Sequence, residues 1–159
     1  MSEPTVSDFA LRVEQVPERT YVVVRDRVPM AKLGEVIPQK IAETHAWVFA
    51  NGGPAGAPMA AVGMPDDRGV VDLAVGWRVR GPLDSPAPFE SVTYEPTRAV
   101  VHEYVGPFEA LPETYAALTK KIAAAGLRPT GAARESYETN PEEEPDPQKW
   151  VTEIVWPVE

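Results

Sequence analysis

The sequence contains no cysteine and only two histidines, His45 and His102. The missing thiols exclude disulfide bonds, thiolate nucleophiles and zinc–thiolate sites, and two histidines at unrelated places in the chain argue against a metal site. Long apolar runs are also missing, since no stretch approaches the roughly 18 residues of a membrane span. The N-terminus lacks the basic and apolar segments of a secretory signal. We therefore expect a cytoplasmic protein with no membrane partner.

An excess of basic residues is likewise absent. The 24 acidic residues outnumber the 15 lysines and arginines and give a net charge of −9, which argues against a nucleic-acid partner because phosphate neutralisation needs a basic surface. The chain has no nucleophile elbow, no Walker-type phosphate loop and no dinucleotide fingerprint, so no cofactor is expected. The glycine-rich stretch 51–57 is interpreted as a loop, and the acidic run 142–146 as a solvated turn.

The 159 residues suit a single domain spanning residues 1–159. Their pattern predicts extended segments at 9–16 and 20–25, a helix at 30–50 that Pro38 kinks or breaks, and a hairpin of 58–63 and 69–79. A proline-rich connector at 80–88 precedes the same order again. Extended chain is predicted at 89–105, a helix at 109–125 that Gly126 ends, and a second hairpin at 131–139 and 149–158.

The two halves align without gaps at an offset of 79 residues, which places Trp77 on Trp156 and Val79 on Val158. The repeated order of strand, helix and hairpin predicts an α+β domain made of two βαββ units, about 9–79 and 89–158. We expect the units to be related by pseudo-two-fold symmetry, with antiparallel sheets, helices on one side and a central ligand cleft.

Glu153 stands out in the last strand because side chains alternate between the two faces of a strand. The more apolar set is predicted to pack on the helices and comprises Thr152, Ile154, Trp156 and Val158. Glu153 then lies mid-strand on the opposite face, where its counterpart in the first half is the small Ala74. A carboxylate on a mostly apolar surface needs a partner, since burial otherwise favours its neutral form. That partner is a protein cation, a hydroxyl group or an exogenous cation. The alternative is that Glu153 is exposed, or pairs with Arg134 or another cation of the protein.

Four further residues are candidates for lining the cleft. Tyr137 reaches the Glu153 side if the strand register permits, where its phenol donates a hydrogen bond and its ring offers a face. Trp47, near the end of the first helix, belongs either to the cleft wall or to the core. His102 and Tyr104 alternate onto one face of a strand, and a histidine titrates near neutral pH.

Three stretches are similar to sequence signatures of GyrI-like small-molecule-binding domains. Residues 104–111 (YVGPFEAL) resemble the strand-to-helix signature of that family, and residues 152–158 (TEIVWPV) resemble its Thr-Glu-Ile ending. Residues 71–77 (VDLAVGW) resemble the matching strand of the first half, although Arg78 follows where many relatives have proline.

The resemblance implies two βαββ units with a ligand groove between them. In the effector-binding domains of bacterial multidrug-responsive transcription regulators, a buried glutamate pairs with lipophilic cations and aromatic rings stack on them. Glu153 is the matching position here. No helix–turn–helix segment accompanies the domain, so the resemblance is to the stand-alone type.

Three hypotheses for the function follow from these observations. The first is a binding module that takes a lipophilic, cationic aromatic ligand, with Glu153 as the charge partner and Tyr137, Trp47, His102 and Tyr104 around it. The second is a hydrolase of reactive or cyclopropane-bearing compounds that uses Glu153 as general acid or base with Tyr137 beside it. It requires a second acidic group or a histidine within hydrogen-bond reach of Glu153, and Glu135, Glu138 and His102 are the candidates. The third is a protein-binding module that resembles gyrase inhibitors.

Overall fold

The computed structural model describes residues 9–140 and 142–159, and this part of the chain forms eight β-strands and two α-helices. In chain order the elements are β1 (Val13–Val16), β2 (Arg19–Pro29), α1 (Leu33–Ala50), β3 (Pro58–Val62), β4 (Val70–Val79), β5 (Glu90–Tyr94), β6 (Thr97–Val105), α2 (Leu111–Ala124), β7 (Ala133–Tyr137) and β8 (Val151–Pro157). This order confirms the predicted α+β class and both predicted hairpins. Neither helix combines the length and apolar character that a bilayer crossing requires, as far as the described residues go.

The two helices end as their sequences predict, but α1 is not broken. It runs continuously through Pro38, although proline removes one backbone hydrogen bond from a helix interior. Leu33, Val36, Ile37 and Ile41 pack against the sheet on both sides of this proline, and that packing offsets the lost bond. Helix α2 gives way to Gly126 at a φ of 75°, the left-handed conformation in which glycine ends helices.

All eight strands form one antiparallel sheet in the order β1-β6-β8-β7-β3-β4-β2-β5. Exchanging each strand of the first half for its counterpart in the second gives the same order read from the other end of the sheet, which fits the predicted repeat. The halves meet where β3 pairs with β7. The domain is therefore built on one continuous sheet that both halves share, with α1 packed against β2 and β4 and α2 against β6.

The strand register shows that the gap-free alignment of the two halves is wrong by one residue in β2 and β6. Val22 pairs with Trp77, whereas the residue that pairs with Trp156 is Val100 and not Val101. The tryptophans are 79 positions apart, but Val22 and Val100 are 78 apart. Since a shift of one residue moves every side chain to the other face of a strand, this difference decides which residues of the two halves are equivalent.

The first strand of each half lies at the edge of the opposite half, because β1 pairs with β6 and β5 pairs with β2. Only two residues link β1 to β2 and β5 to β6, and each link contains a proline, Pro17 or Pro96. Two-residue hairpin turns of types I′ and II′ need a positive φ at the first central residue, which Gly, Asn or Asp favour, whereas Pro17 and Glu95 occupy that place in the two links. The short links therefore cannot close ordinary hairpins, and the edge strands cross to the other half.

The sheet is strongly curled. Arg19 on β2 donates from Nη1 to Oε1 of Glu153 on β8 at 3.0 Å, although β4, β3 and β7 lie between these two strands. In a flat sheet four strand spacings would separate them by roughly 19 Å, which is more than the two side chains can span. The contact therefore requires the sheet to bend around the face that carries both residues, and the helices pack on the opposite, convex face.

Candidate functional site

The concave face of the curled sheet contains a cavity of about 360 Å³, called the groove below. Its lining comes from β2, β4, β6, β7 and β8 and from the glycine-rich loop between α1 and β3. The lining residues are Arg19, Tyr21, Gly56, Ala57, Arg78, Glu103, Ser136, Glu138, Val151 and Glu153. Most of these side chains are charged or carry a hydroxyl group, so the groove is a polar site.

Glu153 lies in the groove, on the face predicted from the alternation along β8. Its cross-strand neighbours on that face are Glu103 on β6 and Ser136 on β7. The carboxylate accepts the hydrogen bond from Arg19, and the side chains of Arg19 and Glu153 are 18% and 29% exposed. The expected protein cation is therefore present, but it is Arg19 and not Arg134.

Three carboxylates converge on one wall of the groove. Glu103 and Glu153 are directly opposite each other on neighbouring strands, an arrangement in which like charges destabilise a sheet. Glu138, on the same side, completes the group. Burial raises the pKa of Glu138, and the negative charge of Glu153 raises it further. In the lining of the groove, these three carboxylates face two guanidinium groups, those of Arg19 and Arg78.

A second arginine, Arg134 on β7, lies on the same strand face as the groove residue Ser136 and is only 4% exposed. The centre of its guanidinium group is 4.4 Å from the ring centroid of Tyr94 on β5. Tyr94 in turn contacts Tyr21 edge to face, with ring centroids 5.8 Å apart. Burial lowers the pKa of Arg134, because it penalises the charged form. The interior of the curled sheet therefore holds a buried cation next to two tyrosine rings.

The four aromatic and histidine candidates do not join Glu153, and the prediction that they share its cleft is wrong. The strand pairs Tyr137–Thr152, Tyr104–Thr152 and His102–Ile154 put all three candidates on the convex, helix-bearing face. Trp47 lies on α1 and stacks on Phe89 in the core. Residues directly opposite each other on paired strands point to the same face of the sheet. No rotation of these side chains could therefore bring them into the groove.

Each of the misplaced strand residues has its own partner on the convex face. The Tyr137 hydroxyl donates to Glu135 at 2.8 Å, and the Tyr104 hydroxyl donates to the carbonyl oxygen of Pro107. The His102 ring contacts the ring of Phe9, with centroids 4.2 Å apart, and burial lowers the pKa of His102. These contacts explain the side chains as parts of the core.

Glu135 is the most buried carboxylate that sequence analysis singled out, at 7% exposure. It lies on the convex face and accepts hydrogen bonds from the hydroxyls of Tyr115 on α2 and Tyr137, at 2.7 and 2.8 Å. Burial raises the pKa of Glu135, and the two hydrogen bonds only partly oppose that effect. Neither Glu135 nor His102 can therefore act as the second group that hydrolysis at Glu153 requires, which leaves Glu138.

This burial makes stability depend on pH. A carboxyl group whose pKa is higher in the folded than in the unfolded protein stabilises the fold below its unfolded pKa, near 4.5, and that stabilisation is lost as pH rises through the folded pKa. Relative to the wild type, the free energy of unfolding of Glu135→Gln should therefore rise between pH 4.5 and pH 8. The rise should be about 1.4 kcal/mol for every unit by which the pKa of Glu135 is higher in the folded than in the unfolded protein. Urea unfolding of both proteins across this range measures the difference, and Glu95→Gln, at an exposed position, is the control. A difference for Glu135→Gln that is constant with pH would contradict the expectation.

Several groove residues were not predicted from the sequence, although the alternation of side chains along a strand indicates them as it indicates Glu153. Arg19 and Tyr21 lie two residues apart on β2 and share the groove face. Glu103 lies directly opposite Glu153. Along β2 and β6, as along β8, side chains alternate between the two faces of the sheet, so the face of each of these residues follows from its position in the strand. Within the described residues, no group of three histidine or acidic side chains is arranged to hold a metal ion.

Comparison with known proteins adds a family and a fold. A model of the GyrI-like small molecule binding domain matches residues 10–159, and no curated protein matches significantly. Among solved structures, the EcmrR chain of an EcmrR–DNA complex is similar with a TM-score of 0.79 and 21% identity, over 94% of this chain and 57% of that one. The C-terminal domain of EcmrR gives a TM-score of 0.76 and 22% identity, over 94% and 97% of the two chains. SAV2435 bound to tetraphenylphosphonium gives 0.65 and 16%, over 95% and 94%.

Proposed function

Since the chain belongs to the GyrI-like small-molecule-binding family, we propose that its groove binds an organic cation and that Glu153 is the principal charge partner. The observation that carries this proposal is the excess of carboxylates in the lining of the groove. Glu103, Glu138 and Glu153 line it together with only two guanidinium groups, those of Arg19 and Arg78. A cation placed at this wall would relieve the repulsion among the three acids.

The position of Glu153 suits this role better than that of the other two acids. It sits between Glu103 and Ser136 on the floor of the concave face, and its half-buried side chain has lost part of its water. Electrostatic attraction is stronger where water is excluded. SAV2435, a structural neighbour with the same fold, was solved with the cation tetraphenylphosphonium bound, which favours a cationic ligand for this groove.

The lining of the groove favours a polar cation over a large lipophilic one. Tyr21, Ala57 and Val151 are the apolar or aromatic contributors, while six of the ten lining residues are charged or carry an aliphatic hydroxyl group. Desolvating those groups against an apolar ligand without replacing their hydrogen bonds is unfavourable. Ligands with hydrogen-bonding groups around the positive charge should therefore bind better than bare polyaromatic cations.

Binding is favoured over hydrolysis by the hydrogen bonds of Glu153. In the described part of the chain, the side-chain hydrogen bond that Glu153 makes is the one from Arg19. A general acid or base needs a second group in reach to take part in proton transfer, and neither Glu138 nor Glu103, the acid directly opposite, is a hydrogen-bond partner of Glu153. The arrangement is that of an ion pair which a charged ligand can join or replace.

The experiment that tests the proposal compares wild-type protein with Glu153→Gln. Rhodamine 6G, a fluorescent cation, should bind the wild type with an anisotropy change, and the variant should bind it at least tenfold more weakly, a loss of about 1.4 kcal/mol. Gln keeps the size of the side chain and removes only its charge. Tetraphenylphosphonium should compete with the dye, and tetraphenylborate, similar in size but negatively charged, should not.

A matched control is Glu90→Gln, which removes an exposed carboxylate that pairs with Arg25 on the same face of the sheet but outside the groove. Dye affinity in this variant should stay within about twofold of the wild type, since solvent screens charges at exposed sites. An equal loss in both variants would assign the effect to net charge. Equal affinity of wild type and Glu153→Gln would reject the proposed role of Glu153.

A further inference from the structure

Arg134 is a buried cation for which the described part of the chain provides no ion-pair partner. It is 4% exposed and takes part in none of the salt bridges there. Its Nε atom is fully enclosed and has no hydrogen-bond partner. Arg134 does contact the ring face of Tyr94. The ring attracts the positive charge, but it accepts no conventional hydrogen bond from the N–H groups of the guanidinium.

Folded proteins seldom retain such a group without a reason. Arginine is almost never fully buried unless it is paired, and removing its charge from water is strongly unfavourable when no counter-charge replaces the water. Groups that lower stability in this manner tend to occur where a ligand supplies the missing partner. Arg134 shares its strand face with Ser136, which lines the groove.

We infer that Arg134 is the anion-binding position of the groove and that the ligand is a zwitterion, with a carboxylate or similar oxyanion for Arg134 in addition to its cationic group. This inference rests on the proposed function, because the cationic group would occupy the wall formed by Glu103, Glu138 and Glu153. Guanidinium groups suit the task since they bind oxyanions through paired N–H donors.

The ion pair between Arg19 and Glu153 connects the acidic wall with the surroundings of Arg134. Both Arg19 and Glu153 belong to the immediate electrostatic surroundings of Arg134, and the Nε atom of Arg19 is also enclosed without a hydrogen-bond partner. A zwitterion would offer each partner of this internal pair a new counter-charge. The exchange would give both Glu153 and Arg134 a counter-charge, which a purely cationic or anionic ligand cannot achieve.

The test uses three compounds with the same carbon chain. Isothermal titration calorimetry would measure binding of 6-aminohexanoate, hexylamine as its ammonium ion, and hexanoate at pH 7. We expect the zwitterion to bind the wild type at least tenfold more tightly than hexylammonium. In Arg134→Met that advantage should disappear, while hexylammonium binds as tightly as to the wild type or up to a few-fold more tightly, because a positive charge near Glu153 is removed. The series is repeated with 4-aminobutanoate and 8-aminooctanoate and their amines, to cover other spacings between the two charges.

Two further variants keep the outcome interpretable. Arg25→Met removes an exposed arginine from the same sheet face, where it pairs with Glu90 at 2.7 Å, and should leave the advantage of the zwitterion intact. Arg134→Gln serves if Arg134→Met does not fold. Because the buried charge is unpaired, the neutral variants should melt at a temperature equal to or above that of the wild type, which a purely structural arginine would not allow.

The outcomes separate this inference from the proposed function. If hexylammonium binds through Glu153 but no ω-amino acid binds more tightly than its amine, the zwitterion inference fails and the cation site stands. If hexanoate binds in an Arg134-dependent manner while hexylammonium does not bind, the anion position stands and the proposed function fails. No binding of any of these compounds, or an equal zwitterion advantage in Arg134→Met, would overturn the inference.

Discussion

Replacing Arg19 with methionine should strengthen the binding of rhodamine 6G roughly thirtyfold, a gain of about 2 kcal/mol. Arg19 holds Glu153 in a hydrogen-bonded ion pair at 3.0 Å, and a cationic ligand must compete with it for the same carboxylate. A hydrogen bond to a charged group contributes roughly 1.5–3 kcal/mol. Removing Arg19 therefore makes the full charge of Glu153 available to the ligand, and fluorescence anisotropy measures the change in affinity.

Two variants distinguish this effect from a general change in charge. Arg78→Met also removes a positive charge from the lining of the groove, but it leaves the ion pair of Arg19 and Glu153 in place, so its gain should be at most a few-fold. The double variant Arg19→Met with Glu153→Gln should lose the gain, because the two changes act on one interaction. An equal gain in Arg78→Met, or a gain that survives in the double variant, would show that Arg19 does not restrain Glu153.

The order of elements and the face of Glu153 could be predicted because both depend on local information. Alternation along β8 separates its apolar set from Glu153, and that argument needs no knowledge of neighbouring strands. The helix end at Gly126 is equally local. These predictions hold because the physical cause of each lies within a few residues.

The partners of Glu153 could not be predicted, because they depend on register and curvature. Between β7 and β8 the chain runs through residues 138–150, and a connection of that length does not determine which residues of the two strands are opposite each other. Tyr137 is therefore opposite Thr152 and not Glu153. The contact between Arg19 and Glu153 spans β4, β3 and β7 and exists only because the sheet curls.

The tyrosines illustrate the same limit. The sequence favours Tyr137 as a groove residue, but it donates to the buried Glu135 on the convex face. Tyr21 and Tyr94, which no motif distinguishes, contact each other inside the curl, and the ring of Tyr94 lies against Arg134. Which aromatic residues face the ligand is decided by how the strands fold over one another, and residue type carries little information about that.

Replacing Gly76 with alanine should lower the free energy of unfolding by about 3 kcal/mol or more. A Cβ atom built at Gly76 would lie 1.7 Å from the carbonyl oxygen of Val22 and 2.7 Å from the Cα atom of Val23. Both are backbone atoms of β2, which cannot move aside as the end of a side chain can, so β2 and β4 would have to separate. A clash of this kind exceeds ordinary overpacking, which costs about 1–3 kcal/mol.

The same substitution tests why the sheet curls. Gly76 lies on the concave face, since it pairs with Val23 and Met59, and a glycine in a strand interior marks a tight bend or a close approach of two backbones. Gly34→Ala is the control. Gly34 lies in the first turn of α1, and outside that turn no atom lies within 4 Å of its Cβ position. Alanine at this position should leave the free energy of unfolding unchanged or raise it by up to about 1 kcal/mol. Urea unfolding measures both. If Gly76→Ala unfolds within about 1 kcal/mol of the wild type and still binds rhodamine 6G, β2 does not need to approach β4 this closely, and the bend that joins Arg19 to Glu153 has another cause.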